Sequence, residues 1–182
     1  MKISEDYGAN VSMYVSEAIQ HKRAVRRFRD EPLPEEIIQK ILNAGRRAQS
    51  AKNMQAWHFI AIRNRETLEA LSGMGTFAGH LANAALGIAI ITPPPETRFS
   101  IMFDAGQAAA YMQLAAWEMG VGSCLATIYE PEKARQLLGF PAELEIRIAI
   151  SFGYPADETE LSRSPQKGGR MPFSESVHWE KW

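Results

Sequence analysis

The sequence predicts a single α/β or α+β domain around a sheet of four or five strands. Helix-like and strand-like segments alternate along most of the chain, a pattern that points to layered α/β packing. One strand-like segment, Leu86-Gly87-Ile88-Ala89-Ile90-Ile91, has no polar face, as expected of a central strand covered on both sides by helices. With 182 residues, 46% of them hydrophobic and 23% charged, the chain is long and apolar enough for one sizeable core.

The first element is a short helix over Ser12 to Gln20, followed by an extended connector in which Val25 and Phe28 can anchor to the core. Pro34 opens the next helix, with Glu35 and Glu36 at the positive end of its dipole and Ile37, Ile38, Ile41, Leu42, Ala44, Gly45 and Ala48 on one apolar face. That helix should end near Arg47. Gln49 to Gln55 is polar and turn-like, Trp57 to Ile62 reads as a strand, and Arg65 to Met74 as a helix. After Leu86 to Ile91, Pro93-Pro94-Pro95 stops the chain.

Ala105, Ala108, Ala109, Met112, Ala116 and Met119 follow helical spacing, with Asp104 as the expected N-cap, Gln107 three positions on and Gly120 as the stop. Gly106, Ala110 and Ala115 extend this small apolar surface around the helix, so more than one neighbour should cover it, one of them a second subunit. Gly122 to Thr127 then reads as a strand, Glu132 to Leu138 as a helix and Leu144 to Phe152 as the last strand. Tyr154 to Trp182 is polar, with no core of its own. Exposing Trp179 and Trp182 would forfeit about 1.5 to 3 kcal/mol for each large side chain, so the tail is expected to embrace a partner.

Charge is concentrated in one place. The chain carries a formal charge of -1, yet six of the nine residues from His21 to Arg29 can be cationic. Repulsion in such a run is relieved by water or by a bound anion, and a phosphate fits. The overall balance argues against a general nucleic-acid or membrane-surface binder. Cys124 is the only cysteine, so no intrachain disulfide forms and no zinc-type spacing exists. No metal site is expected. The start has no apolar signal core, and the longest mostly apolar stretch, Leu81 to Thr92, falls short of the roughly 20 residues that span a bilayer. A cytoplasmic protein in a reducing compartment is expected.

There is no G-x-S-x-G elbow, H-E-x-x-H pair, Walker A loop or G-x-G-x-x-G fingerprint. Cys124 reads as buried and structural, as does His58 on its strand. His80 and His178 have no carboxylate at a spacing that suggests a dyad. Hydrolysis by an acid-base pair is not indicated.

Separated segments together resemble one family, the FMN-dependent nitroreductases. Lys22-Arg23-Ala24-Val25-Arg26-Arg27-Phe28 is similar to that family's R-R-S-x-R-x-F motif, and Ser50-Ala51-Lys52-Asn53-Met54-Gln55-Ala56-Trp57 to its S-x-x-N-x-Q-P-W turn. Gly120 to Cys124, Leu137 to Pro141 and Phe152 to Pro155 resemble its second half. Lys167-Gly168-Gly169-Arg170-Met171-Pro172 resembles its C-terminal phosphate-binding strip, and Val177-His178-Trp179 its ending. Ala24 stands where the family has Ser, and Gln49 and Ala56 where it has Pro.

The resemblance implies an α+β, three-layer fold with a mixed, mainly antiparallel sheet of four to five strands and a swapped C-terminal tail. It implies a homodimer with FMN at the subunit interface, hydride taken from NADH or NADPH, and ping-pong transfer to a nitroaromatic, quinone or similar small acceptor. Lys22, Arg23, Lys167 and Arg170 would hold the phosphate, with Ala24 beside them. Arg26 would lie by the flavin ring and ease its reduction. The turn with Ser50, Ala51, Asn53 and Gln55 would reach the flavin from the other subunit, with Asn53 and Gln55 either bonding its edges or only holding the turn, and Thr127 and Ile128 would set backbone N–H groups beside its N5 and O4, with Leu125 and Ala126 also at the cofactor. No side chain is singled out as acid or base, because the flavin carries the chemistry. A flavin-dependent dehydrogenase of narrower range, a flavin module without turnover and an anion-binding scaffold remain open alternatives.

Overall fold

The computed structural model describes residues 15–162 and 169–182. Four strands, β1 (His58–Ile62), β2 (Leu86–Thr92), β3 (Gly122–Thr127) and β4 (Glu145–Gly153), form one sheet in the order β1-β2-β4-β3. Every pairing between strands is antiparallel, with His58 opposite Ile91, Leu86 opposite Phe152 and Gly122 opposite Gly153. The connector after the first helix adds two single bridges, Ala24 to Ser123 in parallel and Phe28 to Pro155 in antiparallel sense. The Ala24–Ser123 bridge supplies the only parallel pairing among the described residues.

Because strand side chains alternate, the sheet feeds two cores. Ile88, Ile90, Ile150 and Phe152 face α2 (Glu35–Arg46) and α4 (Ser100–Glu118), meeting Ile38, Ile41, Ala108, Met112 and Ala116. Ala89, Ile91, Ile146 and Ala149 face the opposite layer, where Leu68 and Leu71 of α3 (Arg65–Ser72) and Ala134 of α5 (Pro131–Leu138) pack. The fold is therefore a three-layer α+β sandwich. All seven residues of β2 are buried, as its unbroken apolar run requires.

Most expected elements lie within one or two residues of their sequence-based bounds. α1 spans Val15–His21; the expected start at Ser12 falls outside the described residues. Asn64 caps α3 by accepting from the N–H of Thr67 at 2.8 Å. Gly120 ends α4 at φ 74°, with Gly120 N–H donating to Trp117 O and Val121 N–H to Ala116 O, a Schellman stop.

The expected N-cap at Asp104 is wrong. α4 begins at Ser100, four residues earlier, and Asp104 sits inside it with only 5% exposure. Its carboxylate caps another segment's amide instead, so helix-start chemistry is present but spent on a neighbour. Downstream of Ser162, only one short helix, α6 (Phe173–Ser176), is found among the described tail residues, which are nearly all exposed.

Candidate active site

The connector from Lys22 to Glu31 crosses the end of the sheet where β3 starts and β4 finishes. Val25 N–H donates to Ser123 O at 3.0 Å, Arg29 N–H to Tyr154 O at 2.9 Å and Ala156 N–H to Arg27 O at 2.9 Å. Two glycines permit this close approach. A Cβ at Gly122 would lie 2.7 Å from Val25 Cβ, and one at Gly153 would lie 2.9 Å from the Phe28 ring.

The anchored connector sorts its cations. Arg27 pairs with Glu160 at 3.8 Å, and Arg29 with Glu158 at 3.2 Å and Glu31 at 3.6 Å. Among the described residues no carboxylate pairs with Lys22, Arg23 or Arg26. Arg23 Nη1 donates to Gln20 O at 3.3 Å, but its Nε is buried without a partner. Burial holds Lys22 below the usual lysine range. Desolvated positive charge with donors to spare is what a bound anion would relieve.

β3 forms the wall beside these cations. Ser123 O faces the connector, whereas Ile128 N–H, just past the strand, donates to Arg147 O at 2.9 Å. Since backbone groups alternate across an antiparallel ladder, the amides of Leu125 and Thr127 face the open edge and those of Ala126 and Ile128 face β4. This corrects the expectation for Ile128: its N–H is committed to the sheet, and its side chain is buried with that of Ala126. Leu125 and Thr127 carry the accessible backbone.

Cys124 lies beneath this edge, buried as expected. Burial pushes its thiol up, and the charges of Arg26 and Lys22, with a hydrogen bond from Arg26, pull it partly back. His80 is buried beside it, with Nδ1 2.7 Å from Ser151 Oγ and Nε2 lacking a partner of good geometry. Burial chiefly lowers its basicity and the Arg26 charge adds to this, while the Leu125 backbone opposes. His80 is neutral near pH 7. Nothing in the sequence connected it to the basic run. His58, expected to be structural, is exposed at the start of β1.

Ser50, Ala51, Asn53 and Gln55 form a second assembly. Lys52, Asn53 and Gln55 all adopt left-handed backbone conformations, at φ 55°, 53° and 49°. Ser50 Oγ accepts from Gln55 N–H at 2.9 Å, and Gln55 Nε2 donates to Asn53 Oδ1 at 3.1 Å. Both Asp104 oxygens accept from Ala51 N–H at 3.2 Å, and Arg98 Nη2 donates to Ala51 O at 3.2 Å. Sequence reading found the turn but missed Asp104 and Arg98, which hold it.

Within one protomer the two assemblies stay apart. Ala51 meets α4 at Asp104 and Val25 packs on it at Trp117, thirteen positions later, or about 20 Å along the helix at 1.5 Å per residue. Arg170 is exposed in the tail; Lys167 lies outside the described residues. Among the described residues no cluster of three or more His, Cys, Asp or Glu could hold a metal, and no helix is long and apolar enough to cross a membrane.

A sequence model of the Nitroreductase family matches residues 19–76 and 74–154. An Archaeoglobus fulgidus protein, provisionally named NADH dehydrogenase/NAD(P)H nitroreductase, is 33% identical over 171 residues, covering 90% of this chain and 96% of that protein. A Thermus thermophilus protein named NADH dehydrogenase is 26% identical over 194 residues, covering 87% of this chain and 92% of the relative. Among solved structures, an FMN-dependent nitroreductase from Clostridium difficile R20291 is 28% identical with a TM-score of 0.80, covering 91% of this chain and 98% of that one. The family match takes in the connector, the strained turn and the β3 edge alike, and the chain belongs to the nitroreductase family.

Proposed function

We propose that this protein is an FMN-dependent oxidoreductase that takes hydride from NAD(P)H and passes it to a nitroaromatic, quinone or similar small acceptor by a ping-pong mechanism. The observation that carries this reading is the trio Lys22, Arg23 and Arg26, without carboxylate partners among the described residues and with a buried Arg23 Nε that has no partner among them, beside the open backbone edge of β3. These residues fit FMN. Lys22, Arg23, Lys167 and Arg170 would share its phosphate, and Arg26 would lie toward the ring. The amides of Leu125 and Thr127 would donate to the ring edge, while Ala24, Ala126 and Ile128 contribute shape. Bound flavin supplies the two-electron chemistry, so the protein's work is to orient it, exclude water and set its potential.

The turn from Ser50 to Gln55 completes the site only from a second copy, because in its own protomer it sits at the far end of α4. The same helix exposes Met102, Phe103 and Tyr111, its N-cap Phe99 is exposed beside them, and the tail exposes Met171, Phe173, Trp179 and Trp182, the last fully. Unpartnered apolar surface of this extent favours a homodimer in which the tail wraps its neighbour. The whole chain then acts as one FMN-binding domain, working in the cytoplasm. A purified, yellow protein whose flavin absorbance is bleached by NADH or NADPH without oxygen, and restored by a quinone, supports the reading. Colour without bleaching would indicate a flavin module without turnover, and a colourless protein that binds no FMN would refute the assignment.

A further inference from the structure

A groove of about 570 Å3 is lined by Arg26, Arg27, Phe28, Asp30, Arg65 and Asn83. Three guanidiniums face one carboxylate there. Arg65 is held in place, its Nη2 3.2 Å from Asp30 and its Nη1 donating to Ala82 O at 2.6 Å. Arg27 is only loosely matched, at 3.8 Å from Glu160 with its side chain 76% exposed. Arg26 has no carboxylate partner among the described residues, so the groove keeps net positive charge. Its size lies within the range of small-molecule sites.

Arg26 lines this groove and also hydrogen-bonds the Cys124 thiol beneath the β3 edge, so one side chain borders both the groove and the proposed flavin site. A molecule placing a reactive ring at the flavin while its remainder extends past Arg26 would set that remainder against Arg27 and Arg65. Guanidinium forks match phosphate oxygens, and Asn83 can add a neutral hydrogen bond.

Resting on the flavin reading above, we infer that this groove binds the phosphate-bearing adenosine end of the nicotinamide co-substrate and makes the enzyme prefer NADPH over NADH. The third phosphate supplies extra charge, and Arg27, exposed and held by Glu160 only at 3.8 Å, is the fork best placed to exchange that contact for it.

The test uses the FMN-loaded protein under anaerobic stopped flow. Wild type should have a kcat/KM at least about tenfold higher for NADPH than for NADH, and adenosine 2′,5′-bisphosphate should compete with NADPH. Arg27→Gln, at an exposed position, should collapse that ratio mainly through KM for NADPH and weaken the competitor in parallel. Equal use of both nucleotides by wild type, or an unchanged ratio in Arg27→Gln, overturns the groove assignment. Either result leaves flavin content and bleaching to report separately on the flavin site.

Discussion

Asp104→Ala should loosen the flavin turn at a distance from any flavin atom. Three residues of the turn are left-handed, which costs a residue with a Cβ about 1 to 2 kcal/mol and Asn53 less, or roughly 2 to 5 kcal/mol together. Against this stand two charged hydrogen bonds, Ala51 N–H to Asp104 and Arg98 to Ala51 O, worth about 1.5 to 3 kcal/mol each, and two neutral bonds, Gln55 to Ser50 and Gln55 to Asn53, worth about 0.5 to 1.5 kcal/mol each. The restraints sum to about 4 to 9 kcal/mol, a margin of only a few kcal/mol over the strain. Removing the Asp104 bond takes away much of that margin and tips the turn toward relaxed conformers that must be reordered when FMN binds. FMN affinity should fall about ten- to a hundred-fold, measured by fluorescence titration of the apoprotein. Hydrogen exchange at the Ala51 amide should quicken in parallel. Unchanged Ala51 protection together with unchanged FMN affinity would refute the reasoning.

Four further outcomes follow from the same geometry. Gly153→Ala would force a Cβ to 2.9 Å from the Phe28 ring, so chemical denaturation should show a loss of about 1 to 3 kcal/mol and FMN should bind more weakly as the connector shifts. Lys22 has its pKa depressed by burial, and a bound phosphate should raise it again; FMN affinity should therefore be greatest below the depressed value and fall as pH climbs through it, with Lys22→Arg flattening that alkaline arm. Arg26→Gln removes the charge that the proposal sets beside the ring; if the effect is about 1.4 kcal/mol, the two-electron potential should drop by roughly 30 mV in a potentiometric titration, and no shift would place Arg26 elsewhere. Arg170→Ala should weaken FMN while sparing riboflavin, which lacks the phosphate; equal loss of both would make Arg170 structural.

Periodicity exposed the layers because their signals are local. The apolar run of β2, the small-residue face of α4 and the Gly120 stop were legible from residue order alone. Asp104 was misread because a carboxylate near the start of an apolar helical pattern has the same local signature whether it caps its own helix or a neighbouring loop. Only the packing of α4 against Ala51 separates the two. The basic run was visible as charge, but its division into Arg27 and Arg29, which pair with carboxylates, and Lys22, Arg23 and Arg26, which pair with none among the described residues, depends on Glu158 and Glu160, some 130 residues away. Ile128 escaped for a similar reason. Whether its N–H is free depends on the register of β3 against β4, and a one-residue shift would reverse it.

The central claim is that each flavin site takes its connector from one copy of the chain and its Ser50–Gln55 turn from another. Two homodimers that hold no flavin, one with Lys22 and Arg23 both replaced by Ala and one with the turn disabled by Asn53→Ala and Gln55→Ala, can be unfolded together and refolded. Random pairing makes about half of the dimers mixed, and each mixed dimer carries one intact site and one doubly defective site, so flavin content and NADPH oxidation should recover to about a quarter of wild type. Recovery no higher than in either homodimer refolded alone would place both halves of the site within one chain and contradict the account.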